Sequence, residues 1–279
     1  MKTIETVSGL RRELQARRNG NRVALVPTMG CLHEGHMSLI RLARELADVV
    51  VVSIYVNPLQ FGPSEDFSAY PRPFADDERA CLEAGVDLLF HPQNLYPEGG
   101  PQVSLHVAGL DDVLCGATRP GHFDGVATVV AILFNIVQPD VAVFGEKDWQ
   151  QLAIIRRMAS DLAMPVAVIG ATIVREPDGL AMSSRNRYLG EEERQQAAGL
   201  FRALQAMHTA AQAGEESLEL LLDIGRDSLK EDGIEPEYLE IRDAETLQEP
   251  KPGRAARAFV AARIGTARLI DNMALDGLE

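Results

Sequence analysis

Cysteine is scarce in this chain of 279 residues, and basic residues are outnumbered by acidic ones. The three cysteines stand at positions 31, 81 and 115 without a CxxC pair, which favours reduced thiols in the cytoplasm over a disulfide framework or a zinc site. Asp and Glu total 41 against 27 Lys and Arg, so the net charge is −14. This balance argues against nonspecific binding of nucleic acid. An anionic substrate would therefore need a locally basic pocket.

Long apolar runs are missing as well. The uncharged stretch 125–139 is shorter than the ~20 apolar residues that a membrane-spanning helix needs. Residues 1–14 carry charges throughout and lack the apolar core of a signal peptide. Hydrophobic residues make up 46 % of the chain, an ordinary globular content that excludes wholesale disorder. We expect a cytoplasmic protein without a membrane segment.

The first part of the chain alternates between strand-like and helix-like runs. The pattern predicts strands at residues 23–26, 49–56, 87–90, 141–144 and 166–174. It predicts helices at residues 35–47, 74–84, 126–137 and 148–162. Repeated β-α-β units indicate an α/β fold with a Rossmann-like, doubly wound parallel sheet and right-handed crossovers.

The pattern changes after residue 189. Two amphipathic helices are predicted at residues 191–213 and 216–230. Short antiparallel strands are predicted at residues 238–241, 258–264 and 267–272, and Gly265-Thr266 is the turn between the last two. We therefore predict a first domain over residues 1–175 and a smaller α+β domain over residues 176–279.

The segment PTMGCLHEGH, residues 27–36, lies between a predicted strand and a predicted helix. Ligands gather at the carboxyl ends of parallel strands, and the free N–H groups of a helix N-terminus suit phosphate. His33 and His36 share a face of the first turn, where two imidazoles can donate hydrogen bonds to a phosphate. The alternative is two capping or surface histidines; a metal pair is less favoured because no third ligand is evident. Cys31 is interpreted as a small space-filling residue rather than a nucleophile.

The segment GEKDWQQ, residues 145–151, also follows a predicted strand. Lys147 can neutralise phosphate, and Asp148 can hold a ribose hydroxyl or Mg²⁺, or can cap the helix. Gln151 lies one helical turn further on and can face the same cleft.

Three further segments carry polar groups. In MSSRNR, residues 182–187, two hydroxyls and two guanidiniums suit a polyphosphate, and a solvated linker is the alternative. In VNPLQF, the Gln60 amide suits a carboxylate or hydroxyl, and an ordinary Asn-Pro turn is the alternative. Arg119 and His122 of RPGHF add a cation and an imidazole, with the same ambiguity.

Taken together and in this order, PTMGCLHEGH, VNPLQF, RPGHFDGVAT, FGEKDWQQL and MSSRNRYL closely resemble the pantoate–β-alanine ligase family (pantothenate synthetases) of the HxGH nucleotidyltransferase and class I synthetase-like superfamily. The resemblance implies that the pantoate carboxylate attacks the α-phosphate of ATP to give pantoyl adenylate and pyrophosphate. The β-alanine amine then displaces AMP and gives pantothenate. It also implies Mg²⁺ with the ATP, a homodimer formed through the first domain, and a second domain that closes over the active site.

The resemblance assigns roles to individual residues. His36 would be the general acid, and His33, Lys147 and Arg185 would act on the phosphates. ATP would be bound by Met29, Gly30, Cys31, Leu32, His33, Glu34, Gly35, His36, Gly145, Glu146, Lys147, Asp148, Val174, Met182, Ser183, Ser184 and Arg185. Gln60 would hold pantoate and β-alanine, Gln151 would hold pantoate, and Arg119 and Tyr70 would lie near the phosphates or the entering amine. No residue set identifies a private metal site.

Two other hypotheses remain from the residues. The HxGH loop alone would also suit a nucleotidyltransferase whose product keeps the nucleotidyl group, although the paired glutamines and MSSRN argue against it. A non-catalytic nucleotide-binding module is the third hypothesis. It would require the loss of key polar residues, and these are present.

Overall fold

A computed structural model describes residues 1–63, 65 and 67–276. The chain forms two compact units, one made of Met1–Glu146 with Ile154–Thr172 and the other of Lys147–Ala153 with the residues from Ile173 onward. The predicted domain boundary after residue 175 stays a prediction. Among the described residues, no helix combines the length and the apolar content needed to cross a membrane.

The first unit is built on a parallel sheet. Its strands are β1 (Lys2–Ile4), β2 (Val23–Thr28), β3 (Val49–Ile54), β4 (Leu88–Phe90), β5 (Val141–Gly145) and β6 (Ala167–Ala171). They lie in the order β1-β4-β3-β2-β5-β6, and each neighbouring pair is parallel. From β2 the chain moves outward through β3 and β4, then returns to β5 on the other side of β2. The predicted α/β doubly wound sheet is confirmed, and β2 and β5 flank the switch point where such sheets bind ligands.

Burial explains the sequence of the central strands. All six residues of β3 are buried, as a run of β-branched residues predicts for a strand covered on both faces. The helices of this part of the chain are α1 (Val7–Arg17), α2 (Glu34–Leu46), α3 (Phe74–Glu83), α4 (Leu114–Thr118), α5 (His122–Val137) and α6 (Trp149–Asp161). Helix α2 buries Leu39, Ile40 and Ala43 in one core cluster with β2, β3 and β5.

Some boundaries differ from the predicted ones. Helix α5 begins four residues before residue 126, because Gly121 adopts a φ of 79° and turns the chain into the helix. Helix α1 was not predicted, although Leu10 and Leu14 are buried at helical spacing and the Thr6 side chain caps its N-terminus.

The second unit combines helices with an antiparallel sheet. Its helices are α7 (Glu191–Ala197), α8 (Gly199–Gln212) and α9 (Leu218–Glu231). Its strands β7 (Pro236–Asp243), β8 (Ala256–Ile264) and β9 (Ala267–Ala274) pair in chain order. The β8–β9 hairpin is confirmed, with Ile264 opposite Ala267 and Gly265 at a φ of 55°.

The prediction of one continuous helix over residues 191–213 is wrong. A turn at Ala198 separates α7 from α8. Ala198 keeps helical angles, φ −61° and ψ −18°, so the apolar periodicity continues through the turn and conceals it. Gly199 then begins α8 against Asp232, where a Cβ atom would lie 2.5 Å from a carboxylate oxygen.

Candidate active site

The loop after β2 is held by a carboxylate from a distant helix. Gly30 and Cys31 both adopt left-handed backbone angles, with φ of 81° and 53°. Asp77 of α3, only 3 % exposed, accepts hydrogen bonds from the backbone N–H groups of Cys31 (2.8 Å) and Leu32 (2.7 Å). A Cβ atom at Gly30 would lie 2.8 Å from the same carboxylate. Asp77 was not predicted as a site residue, because an acid in the first turn of a helix has an ordinary explanation in the helix dipole.

The two histidines close the N-terminus of α2. His33 is the N-cap, and its Nδ1 accepts from the backbone N–H of Gly35 at 3.2 Å. The Nδ1 of His36 accepts from the backbone N–H of His33 at 3.3 Å, and the two ring centroids are 4.2 Å apart. A neutral imidazole that accepts at Nδ1 carries its proton on Nε2. The capping and phosphate-binding interpretations are therefore compatible, since capping makes Nε2–H the donor of each ring.

The structure brings Gln60 to this loop. Gln60 ends a 3-10 turn, Pro58–Gln60, that follows β3. Its Nε2 lies 3.2 Å from the sulfur of Met29, and its Oε1 accepts from Asn57 Nδ2 at 3.1 Å. Gly145 ends β5, the other neighbour of β2, and Glu146 follows it, so both lie at the same edge of the sheet.

Arg119 lies beside the Gln60 turn, where it is bound by a carboxylate. Its guanidinium forms a fork on Glu65 at 2.7 and 2.6 Å and donates to the backbone carbonyl of Gln60 at 3.3 Å. His122 Nδ1 donates to the same carbonyl at 2.8 Å. Burial alone would raise the pKa of Glu65, but the hydrogen bonds and charge of Arg119 outweigh it and lower that pKa.

The cysteine and tyrosine singled out in the sequence are both buried. Cys31 is 0 % exposed, which agrees with a space-filling role. Tyr70 is also buried and contacts Phe61 edge to face.

In the second unit, Lys147 and Asp148 precede α6. The Lys147 ammonium is 3.7 Å from an Asp148 carboxylate oxygen, and Asn272 Nδ2 donates to the Lys147 carbonyl at 2.9 Å. Gln151 is half-buried in the first turn of α6. Trp149 has a packing role, since its indole N–H donates to the Ala244 carbonyl at 2.7 Å.

The segment that contains MSSRNR is anchored within the same unit. The Met182 N–H donates to the Val174 carbonyl at 3.0 Å, and Ser183 Oγ accepts from the Arg185 N–H at 3.3 Å. Asn186 is buried and donates to the Ala181 carbonyl at 3.1 Å. These contacts bring together the four predicted ATP-binding positions Val174, Met182, Ser183 and Arg185.

One cluster outside these segments has metal-ligand chemistry. Among the residues that the structure describes, His106, Asp111 and Asp124 place donor atoms within 4.8 Å of one another. Asp124 already accepts from His106 Nδ1 at 3.0 Å and from the Val107 N–H at 2.8 Å. The hydrogen bond to Asp124 and its charge raise the pKa of His106, because both stabilise the protonated imidazole. The contacts therefore favour an ion pair here.

Similarity to known proteins covers nearly the whole chain. A family profile described as pantoate-beta-alanine ligase matches residues 2–274. A pantothenate synthetase of Azotobacter vinelandii is 51 % identical over 281 residues, which cover 99 % of both chains. The crystal structure of pantothenate synthetase from Thermus thermophilus has a TM-score of 0.91 at 48 % identity and covers 99 % of both chains.

A third relative is more distant. The crystal structure of pantoate-beta-alanine ligase from Francisella tularensis, complexed with beta-gamma ATP and beta-alanine, has a TM-score of 0.82 at 32 % identity. It covers 99 % of this chain and 98 % of its own. With the profile matched from the first strand to the last and the fold shared at these identities, the chain belongs to the pantoate–β-alanine ligase family.

Proposed function

We propose that the chain condenses pantoate with β-alanine, at the expense of ATP, through a pantoyl-adenylate intermediate. A pantoate carboxylate oxygen forms a bond to the α-phosphorus, and the bond from that phosphorus to the β-phosphate oxygen breaks and releases pyrophosphate. The β-alanine amine then bonds to the acyl carbon, loses a proton and displaces AMP. Adenylation is needed because a carboxylate oxygen is a poor leaving group until it is bonded to phosphate.

One observation carries this proposal. A single loop at the switch point of the sheet holds both capping histidines and Met29, and Met29 contacts the amide of Gln60. The loop thus joins a helix N-terminus suited to phosphate with a side chain suited to an organic acid.

The phosphate roles follow from charge and hydrogen-bond direction. The Nε2–H groups of His33 and His36 would donate to the α-phosphate or the leaving pyrophosphate, with His36 as the general acid. Lys147 and Arg185 would neutralise the negative charge that develops during transfer. The remaining proposed ATP-binding residues are Met29, Gly30, Cys31, Leu32, Glu34, Gly35, Gly145, Glu146, Asp148, Val174, Met182, Ser183 and Ser184.

The acid and the amine are assigned to the two glutamines. Gln60 would hold pantoate and β-alanine, and Gln151 would hold pantoate. The Francisella relative, complexed with beta-gamma ATP and beta-alanine, supports ATP and β-alanine as substrates. Mg²⁺ would enter with ATP and neutralise its phosphates, and Asp148, whose carboxylate lies 3.7 Å from the Lys147 ammonium, would hold the ribose of the nucleotide. A homodimer and a cytoplasmic location stay predictions.

An omission assay tests the proposal. The protein is incubated with ATP, pantoate, β-alanine and Mg²⁺, and each is left out in turn. We expect pyrophosphate release to depend on pantoate and AMP formation to depend also on β-alanine. A nucleotidyl group that remains bonded to the product after β-alanine is added would instead support the nucleotidyltransferase hypothesis.

The glutamine assignment has its own test. We expect Gln151→Ala to raise the KM for pantoate more than the KM for ATP. Gln195→Ala, an exposed position on α7, is the control and should change neither. An equal increase for both substrates would contradict the role of Gln151.

A further inference from the structure

The orientation of one buried amide, Asn57, is determined by the backbone around it. Asn57 is 1 % exposed and lies between β3 and the Gln60 turn. Its Oδ1 accepts from the Leu59 N–H at 3.3 Å, and its Nδ2 donates to the Gly125 carbonyl at 3.1 Å. A backbone N–H only donates and a carbonyl only accepts, so only one orientation of the Asn57 amide satisfies both.

Gly125 allows this contact. A Cβ atom at position 125 would lie 2.3 Å from the Leu59 carbonyl oxygen and 2.7 Å from the Gln60 nitrogen. Glycine therefore lets α5 approach the turn closely enough for its carbonyl to reach Asn57.

Tyr96 supplies a second donor to the carbonyl oxygen of this amide. Its hydroxyl donates to Asn57 Oδ1 at 2.6 Å, and the side chain is 7 % exposed. Burial raises the pKa of Tyr96 far above the physiological range, so the group stays a protonated donor.

The orientation of the Asn57 amide determines that of the Gln60 amide. Because Asn57 Nδ2 donates to Gln60 Oε1 at 3.1 Å, the carbonyl end of Gln60 faces Asn57. Its NH₂ end lies on the Met29 side, 3.2 Å from the sulfur. A thioether is a weak acceptor, and an oxygen atom of a ligand would be a stronger one.

We propose that Tyr96 is a positioning residue for recognition of the acid: its hydrogen bond to Asn57 Oδ1 restrains the amide that the backbone orients, and so keeps the NH₂ group of Gln60 toward the substrate. The NH₂ group of Gln60 therefore favours a ligand that presents an oxygen acceptor, such as a carboxylate or hydroxyl oxygen, over one that presents a hydrogen-bond donor. This inference rests on the proposed function, in which Gln60 binds pantoate.

Tyr96→Phe tests the proposal, with Tyr55→Phe as the matched control. Tyr55 is 8 % exposed and its ring lies 6.1 Å from that of Tyr96, but its hydroxyl is 3.5 Å from Asn94 rather than bonded to Asn57. We expect Tyr96→Phe to raise the KM for pantoate by about 3- to 10-fold, the usual effect of one lost hydrogen bond, and to leave the KM for ATP unchanged. Tyr55→Phe should leave both unchanged. Equal pantoate KM values in the two variants would overturn the proposal.

A double-mutant cycle separates positioning from a general structural effect. In a Gln60→Ala background, Tyr96→Phe should cause no further increase in the KM for pantoate. An independent, multiplicative increase would overturn the positioning role. If Gln60→Ala alone leaves the pantoate KM unchanged, the proposed role of Gln60 itself fails. Should Gln60→Ala abolish turnover, the pantoate Kd from calorimetric titration supplies the same comparison.

Discussion

The two loops that carry the candidate phosphate-binding groups are stabilised in different ways. In the loop after β2, the backbone N–H groups of Cys31 and Leu32 bind Asp77, about 45 residues away in the sequence. In the second unit, Ser183 binds the N–H of Arg185, two residues on, and Asn186 binds a carbonyl five residues away. The first loop is held by tertiary contacts and the second mainly by local ones.

The two loops also differ in the side chains that cap them. In the first loop, His33 and His36 cap α2 with their own Nδ1 atoms. In the second, Ser183 caps the turn and Arg185 contributes its backbone N–H to that bond. Truncating a capping histidine of the first loop should therefore change stability and activity together.

The largest expected effect comes from His36. His36→Ala should lower pantoate-dependent pyrophosphate release by about 100- to 1,000-fold, the usual cost of one transition-state donor. It should also lower the free energy of unfolding by about 1 kcal/mol, because a cap acceptor is lost. His36→Asn keeps an acceptor and should recover stability but not activity. Near-normal turnover of His36→Ala would remove the assignment.

Lys147→Ala should lower adenylation by a comparable or somewhat smaller factor while the protein stays folded. Its ammonium lies near Asp148 and its carbonyl, which the substitution leaves in place, binds Asn272. Pyrophosphate release and far-UV circular dichroism measure the two properties. Lys230→Ala, exposed on α9, is the control, and equal activity of the two variants would contradict the role of Lys147.

Asp77→Asn should destabilise the first loop. One of the two backbone N–H groups would face an amide NH₂ instead of an oxygen, which costs about 1–3 kcal/mol in the free energy of unfolding. Chemical denaturation measures this change, and we also expect a higher KM for ATP. Asp76→Asn is the control, because Asp76 is exposed and pairs with Arg79 on the helix surface. Equal stability of the two variants would show that the carboxylate does not hold the loop.

Ser183→Ala should have a smaller effect on stability than Asp77→Asn. It removes one cap of a short turn, worth about 0.5–1 kcal/mol in the free energy of unfolding. A loss larger than that of Asp77→Asn in the same denaturation experiment would reverse the comparison between the loops.

The smallest expected effect is the loss of stability at low pH through the Glu65–Arg119 ion pair. The lowered pKa of Glu65 means that its contact with Arg119 stabilises the fold above the ordinary value of 4.5. This contribution is lost as the pH falls through the lowered pKa. As the pH is lowered below about 4.5, the Tm of the wild type should therefore decrease more than the Tm of Glu65→Gln. Identical profiles would show that the pair does not contribute.

Much of the fold could be predicted because its signals are local. The β-branched run of β3 and the β-α-β alternation indicated the parallel sheet, and Gly265-Thr266 indicated the hairpin. The turn at Ala198 could not be predicted, because a residue with helical angles leaves the apolar spacing unchanged.

Some residues of the candidate site could be predicted from the sequence, and others could not. The motifs around His36, Lys147 and Arg185 were visible as polar residues next to strand ends and glycines. Asp77 and Tyr96 were not, because each acts on a residue about 40 positions away and leaves no spacing pattern in the sequence.

The sequence by itself determined the residue types, their order along the chain and the family to which they belong, since periodicity and motifs are properties of neighbouring residues. Only the tertiary structure decided which nitrogen of each histidine caps the helix, which end of the Gln60 amide faces Met29 and which carboxylate holds the loop. Hydrogen-bond direction depends on the partners that folding brings together, and some of these lie far apart in the chain: Gln60 is 31 residues from Met29, and Asp77 is 46 residues from Cys31.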